Sequence, residues 1–148
     1  MERNAREEVT DMSVSEKFSV GQTAKDSVIV TEQLIYDTAD FSGDYNPVHT
    51  SEDFARKTLF KSRIAHSLVC EALVSKLIGT QLPGAGSIFI NISFACLKPV
   101  FIGDEIQAVG TIKAIDADRN ILDVQVACFN ARQELVVESQ AKVLYLEV

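Results

Sequence analysis

Asp44 and His49 stand five positions apart in Gly43-Asp44-Tyr45-Asn46-Pro47-Val48-His49. A carboxylate can take a proton from water. An imidazole, with a reference pKa of about 6.5, can return one near neutral pH. Adding water to a polarised double bond requires those two transfers. Gly43 permits a tight turn, while Pro47 fixes its own φ and drives Asn46 toward extended geometry. The same residues also fit an Asx-type turn, with Asp44 and Asn46 bonding only local backbone. The string by itself leaves both readings open.

The surrounding pattern names the elements that must hold this loop. Ala24 to Val30 reads as a strand. Thr31 is placed to cap a helix through about Phe41. After the loop, Thr50-Ser51-Glu52-Asp53 fits a capping box with Thr50 as N-cap, opening a short helix to about Thr58. The main helix runs from His66 to about Gln81 and is apolar nearly all round. Its polar exceptions, Ser67, Glu71 and Ser75, recur every four residues on one stripe with Gly79, facing either water or a pocket. An alternating tract follows, with Ile88, Ile90, Ile92 and Phe94 on one side and Phe89, Asn91 and Ser93 on the other. Strands Glu105 to Ile115, Ile121 to Asn130 and Leu135 to Glu147 complete the pattern. Short links between consecutive strands predict an antiparallel meander. A buried helix before several long strands predicts an α+β domain, a sheet around a central helix.

With 148 residues, 47% apolar and 24% charged, the chain is expected to form one globular domain over 15–148 behind a mobile leader at 1–14. No apolar run reaches the length of a membrane span, and the charged start MERNAREEVTDM is no signal peptide. Cys70, Cys96 and Cys128 are dispersed in apolar segments without a C-x-x-C, which predicts buried free thiols in a reducing, cytoplasmic setting. Two histidines and no cysteine cluster give no expectation of a metal site. The net charge of −7 argues against a nucleic-acid partner. Arg56, Lys57, Lys61 and Arg63 nevertheless place four cations within eight residues, read either as a solvated basic loop or as phosphate contacts.

The segment resembles the signature of the R-specific enoyl-CoA hydratases, the MaoC-like or hydratase 2 family. The likeness continues through Arg63-Ile64-Ala65-His66, Gln81-Leu82-Pro83-Gly84, Gly86-Ser87-Ile88 and Pro99-Val100-Phe101-Ile102-Gly103-Asp104-Glu105, in the family's order. It implies a hot-dog fold and a homodimer paired through sheet edges. It implies an acyl-CoA substrate and no cofactor beyond that coenzyme A. It also implies that Asp44 and His49 hold the water together and that H and OH arrive on one face. Gly43, Asn46, Pro47 and His66 support the motif. The enolate-like thioester oxygen falls to the N-terminus of the His66 helix. There the family has a glycine and this chain has Ser67, whose backbone N–H survives beside a new hydroxymethyl group. Ser75 matches a position lining the acyl pocket and Ile78 a neighbouring one; Glu71 lies one turn before Ser75.

The leading expectation is therefore reversible hydration of trans-2-enoyl-CoA to (R)-3-hydroxyacyl-CoA. A close variant is dehydration on acyl-carrier protein. Thioester hydrolysis, which other hot-dog proteins perform, and a non-catalytic acyl-binding subunit remain as readings from other classes.

Overall fold

The computed structural model describes residues 13–147. The elements in chain order are α1 Val14–Lys17, β1 Thr23–Ile29, α2 Glu32–Ser42, α3 Pro47–Thr50, α4 Glu52–Ala55, α5 Ser67–Thr80, β2 Ser87–Cys96, β3 Glu105–Asp116, β4 Ile121–Phe129 and β5 Leu135–Tyr145. Most of the expected leader lies outside the described residues. Val14 departs from that expectation, being fully buried at the start of α1.

The strands form one antiparallel sheet in the order β1-β3-β4-β5-β2. The meander expected of consecutive strands holds only for β3-β4-β5. Instead of pairing with β3, β2 crosses to the far edge beside β5. Inward residues alternate cleanly along β4, with Leu122, Val124, Val126 and Cys128 all buried. The alternation expected along β2 is broken. A register shift between Phe89 and Asn91 places Phe89, Ile92 and Phe94 against the core and leaves Ile88 and Ile90 exposed. One inserted residue exchanges the two faces of a strand, so a single period-2 pattern could not describe this one.

Helix α5 packs across β1, β2 and β3. Its buried residues, Val69, Cys70, Leu73, Val74, Leu77 and Ile78, follow the i, i+3, i+4 spacing of one helical face. Gly110 on β3 lies beneath it. A Cβ there would stand 2.6 Å from Leu77 Cδ2, so the missing side chain lets the helix sit low on the sheet.

Helix α2 begins as expected, with the Thr31 hydroxyl accepting the N–H of Leu34 at 3.1 Å. The cap of α4 differs. It is Ser51, not Thr50, whose hydroxyl accepts a backbone N–H, from Phe54 at 3.2 Å. Thr50 ends α3 and turns its hydroxyl back to the Tyr45 carbonyl. Adjacent Thr and Ser offer the same oxygen, so residue type could not choose between them.

Candidate active site

Three elements deliver the reacting groups. Helix α2 stops at Gly43, whose φ of 75° is the left-handed conformation that ends a helix. Asp44 follows, and its Oδ1 accepts the N–H of Asn46 at 3.1 Å. Asn46 Oδ1 accepts the N–H of Val48 at 3.2 Å and so caps α3, with Pro47 as its first residue. The Asx turn is thus present, and it leaves Asp44 Oδ2 free of the turn's own hydrogen bonds. Tyr45 is exposed, and its hydroxyl donates to the Asp40 carboxylate.

This α3 turn carries His49 into the protein, where only 8% of the residue stays exposed. Its Nδ1 lies 2.7 Å from the Ile64 carbonyl oxygen, which takes the Nδ1 proton. Nε2 then keeps its lone pair and faces Asp44 Oδ2 at 3.8 Å. The half-exposed Asp44 carboxylate stands on the solvent side of the pair. Burial pushes the His49 pKa below the ordinary imidazole value. The Ile64 carbonyl opposes that shift, the neighbouring His66 ring adds to it, and the Asp44 charge opposes it. Ile64 is itself fixed by an antiparallel bridge to Phe101.

His66, the N-cap of α5, touches both partners. Its Nε2 donates to the Asp44 backbone carbonyl at 2.9 Å, and its ring stacks on His49 with centroids 3.9 Å apart. Asp44, His49 and His66 bring ligand-type atoms within 4.8 Å of one another, a proximity that two isolated histidines in sequence did not suggest. Two of the ring nitrogens, His49 Nδ1 and His66 Nε2, are committed to carbonyl oxygens. The remaining arrangement is that of an acid–base pair.

The dyad opens into a cleft of about 470 Å³, which also takes in Phe60, Ser67, Cys70, Cys96 and Val100. Ser67 is the first residue of α5, where backbone N–H groups have no intrahelical acceptor and the helix dipole favours negative charge. The expected oxyanion position therefore borders the dyad. A second cleft of about 550 Å³ lies between α2, α5 and β1, walled by Val28, Leu34, Phe41, Leu68 and Ala72. Glu71 and Ser75 face this second cleft rather than the dyad cleft.

Two expected site residues are misplaced. Ile78 is 1% exposed and belongs to the core, lining neither cleft. Arg63 is no free phosphate ligand. Its side chain is 11% exposed and bridges Glu32 at 2.6 Å and Glu52 at 3.1 Å. Arg56 stays exposed, 3.9 Å from Asp53, and Lys57 and Lys61 are exposed. All three thiols are free, as expected, but only Cys70 and Cys128 are buried, Cys96 being exposed on the edge strand β2. Cys70 meets Cys128, which together with burial pushes the Cys70 pKa up. The Ile64 carbonyl was missed altogether, because a backbone acceptor fifteen residues away carries no side-chain signal.

Residues 15–130 match the MaoC like domain. The chain belongs to the MaoC-like family. The MaoC-like chain is 36% identical to an (R)-specific enoyl-CoA hydratase of Rhodospirillum rubrum, over 87% of this chain and 89% of that one. It is 30% identical to a mitochondrial 3-hydroxyacyl-[acyl-carrier-protein] dehydratase of Arabidopsis thaliana, over 81% of this chain and 72% of the relative. Among solved structures, the (R)-hydratase of Aeromonas caviae superposes with a TM-score of 0.84 at 34% identity, covering 87% of this chain and 98% of that one. The sheet wrapped around α5 is the hot-dog fold.

Proposed function

We propose that this MaoC-like protein reversibly hydrates trans-2-enoyl-CoA to (R)-3-hydroxyacyl-CoA. One observation carries the reading: the lone pair on His49 Nε2 faces the Asp44 carboxylate across 3.8 Å, beside the start of α5. A water seated beside the pair, off the line joining them, reaches both groups at hydrogen-bond distance. His49, buried and neutral, takes a proton from the water as the oxygen adds to the β-carbon. The Asp44 carboxylate stabilises the imidazolium that forms. The proton then passes to the α-carbon, so one proton leaves water and one reaches substrate, and both residues return to their starting states. Meanwhile the first N–H groups of α5 stabilise the thioester oxygen as it becomes enolate-like.

Exposed Lys57 and Lys61 lie close in sequence to Phe60 on the dyad cleft, which suits phosphate contacts from coenzyme A entering there. The apolar second cleft suits the acyl chain, with Ser75 facing it. The outer edge of β2, with Ile88 and Ile90 exposed, suits pairing with a second copy. Light scattering at micromolar concentration tests that pairing, and a monomer rejects it.

Crotonyl-CoA tests the reaction. Loss of the enoyl absorbance without release of thiol is expected. Free thiol would mean hydrolysis, and neither signal would leave only binding. The Arabidopsis relative supports a second reading, in which the same site dehydrates a 3-hydroxyacyl group on acyl-carrier protein. A crotonyl thioester on carrier protein, turned over with a higher kcat/KM than crotonyl-CoA, would favour it.

A further inference from the structure

The two clefts meet at a hydrogen bond. Ser67 lines the dyad cleft and Glu71 lines the apolar one. The Ser67 hydroxyl donates to Glu71 Oε1 at 2.9 Å. That bond draws the hydroxyl along α5 toward Glu71. It also fixes a carboxylate at the edge where the apolar walls begin. The other charged groups of this cleft are differently engaged. Lys76 is 3.0 Å from Asp26, and Asp37 accepts from Gln33 at 2.8 Å. Among the described residues, the Ser67 hydroxyl is the one hydrogen-bond donor to the Glu71 side chain, and no cation pairs with it. The carboxylate therefore relies on water for the rest of its solvation.

An alkyl chain passing from the dyad cleft into the apolar one by way of the Ser67–Glu71 contact runs along this carboxylate and displaces that water. Removing solvent from a charge without supplying a partner is costly, and methylenes supply none. A chain that ends before Glu71 avoids the cost. A longer chain meets it, although the walls beyond, Val28, Leu34, Phe41, Leu68 and Ala72, would otherwise welcome it. We infer that Glu71, held by Ser67, is a specificity-determining residue that restricts this protein to short enoyl chains. The inference rests on the hydratase reading. Glu71 acts on chain length without touching the reacting atoms, so it leaves the dyad's own chemistry as described.

The test compares kcat/KM for crotonyl-, hexenoyl-, octenoyl- and decenoyl-CoA in the wild-type protein, Glu71→Gln and Glu71→Ala. The wild-type protein should favour crotonyl-CoA. Glu71→Ala should raise the octenoyl-to-crotonyl ratio by about tenfold or more, a shift on the scale that pocket changes bring to chain discrimination. Glu71→Gln removes the charge but keeps the volume and an acceptor for Ser67, so an intermediate rise separates charge from bulk. Unchanged ratios in both variants, with crotonyl hydration intact, overturn the inference and leave the hydratase reading standing. Wild-type protein that hydrates decenoyl-CoA as well as crotonyl-CoA also overturns it. Wild-type protein that hydrates none of the series overturns the hydratase reading itself. Should Glu71→Ala fail to fold, Glu71→Gln and calorimetric titration of the wild-type protein decide. Tighter binding of octanoyl-CoA than of butyryl-CoA rejects the idea.

Discussion

The two sides of the first turn of α5 are built on opposite plans. On one side, nearly every polar atom of the dyad loop has an assigned partner. Asn46 caps α3, Ile64 holds one ring nitrogen of His49, and His66 holds the Asp44 carbonyl while stacking on His49. On the other side lies a largely apolar cleft whose wall includes Phe41, 90% exposed. Chemistry needs atoms held to fractions of an ångström, which overlapping hydrogen bonds provide. Accommodation of a chain needs area without direction, which apolar walls provide. The contrast predicts that damage on the dyad side falls equally on every substrate, whereas damage on the apolar side depends on acyl length.

The sharpest challenge to that contrast is replacement of the dyad. Asp44→Asn and His49→Gln should each lower kcat/KM by about 10²-fold or more, by the same factor for short and long enoyl thioesters. A length-dependent loss would break the division of labour. Acidification should come next in size. Because the His49 pKa is lowered, the imidazole is neutral above its reference value and gains its proton only below it. The acid limb of kcat/KM should therefore lie below about pH 6.5 and fall about tenfold per pH unit. In His49→Gln that limb should vanish. The sign for stability is the same. A depressed His pKa means that the unfolded chain binds the proton first, so His49's contribution is present above about pH 6.5 and is lost as pH falls through the folded value.

His66→Phe keeps a ring against His49 and removes the hydrogen bond to the Asp44 carbonyl. A fall in kcat of about tenfold is expected, small beside loss of the dyad because His66 positions the pair without taking the proton. Unchanged kcat would mean that the loop holds Asp44 without it. The smallest effect on turnover should come from Arg63→Gln. Arg63 ties Glu32, at the start of α2, to Glu52, at the start of α4, and so links the wall of one cleft to the loop of the other. Its carboxylate partners are substantially exposed, so the loss should be about 1 kcal/mol and lower Tm by a few degrees. A large rise in KM for acyl-CoA with unchanged Tm would instead return Arg63 to the phosphate site.

How far the sequence could be read follows from what each feature depends on. The motif turn, the Thr31 cap and the central helix are specified by local residue types at fixed spacing and stand where that spacing put them, whereas the cap of α4 falls one residue on, at Ser51. Arg63 is different. A run of cations looks alike whether it faces solvent or two carboxylates, and its partner Glu32 lies thirty-one residues away. Ile78 matched a pocket position, but its place in the core depends on how deeply α5 sinks onto the sheet, a tertiary property. The bulge in β2 depends on pairing with β5 and leaves no mark in an apolar run. The split of Ser67 and Glu71 between two clefts was hidden for a related reason. A helical stripe gives direction along one helix but not the walls that α2 and β1 raise beside it.

The absent side chain at Gly110 reaches further than packing. The dyad is moored to the sheet side of the protein, through Ile64 and its bridge to Phe101. It is moored also to α5, through the N-cap His66, and the Leu77 of that helix rests over Gly110. The two moorings meet on one loop, so the pair follows both the Ile64 bridge and the start of the helix. A Cβ at Gly110 would meet the end of the Leu77 side chain at 2.6 Å and oblige it to shift. The bare glycine thus acts as a shim under Leu77, letting the helix that carries His66 lie close on the sheet.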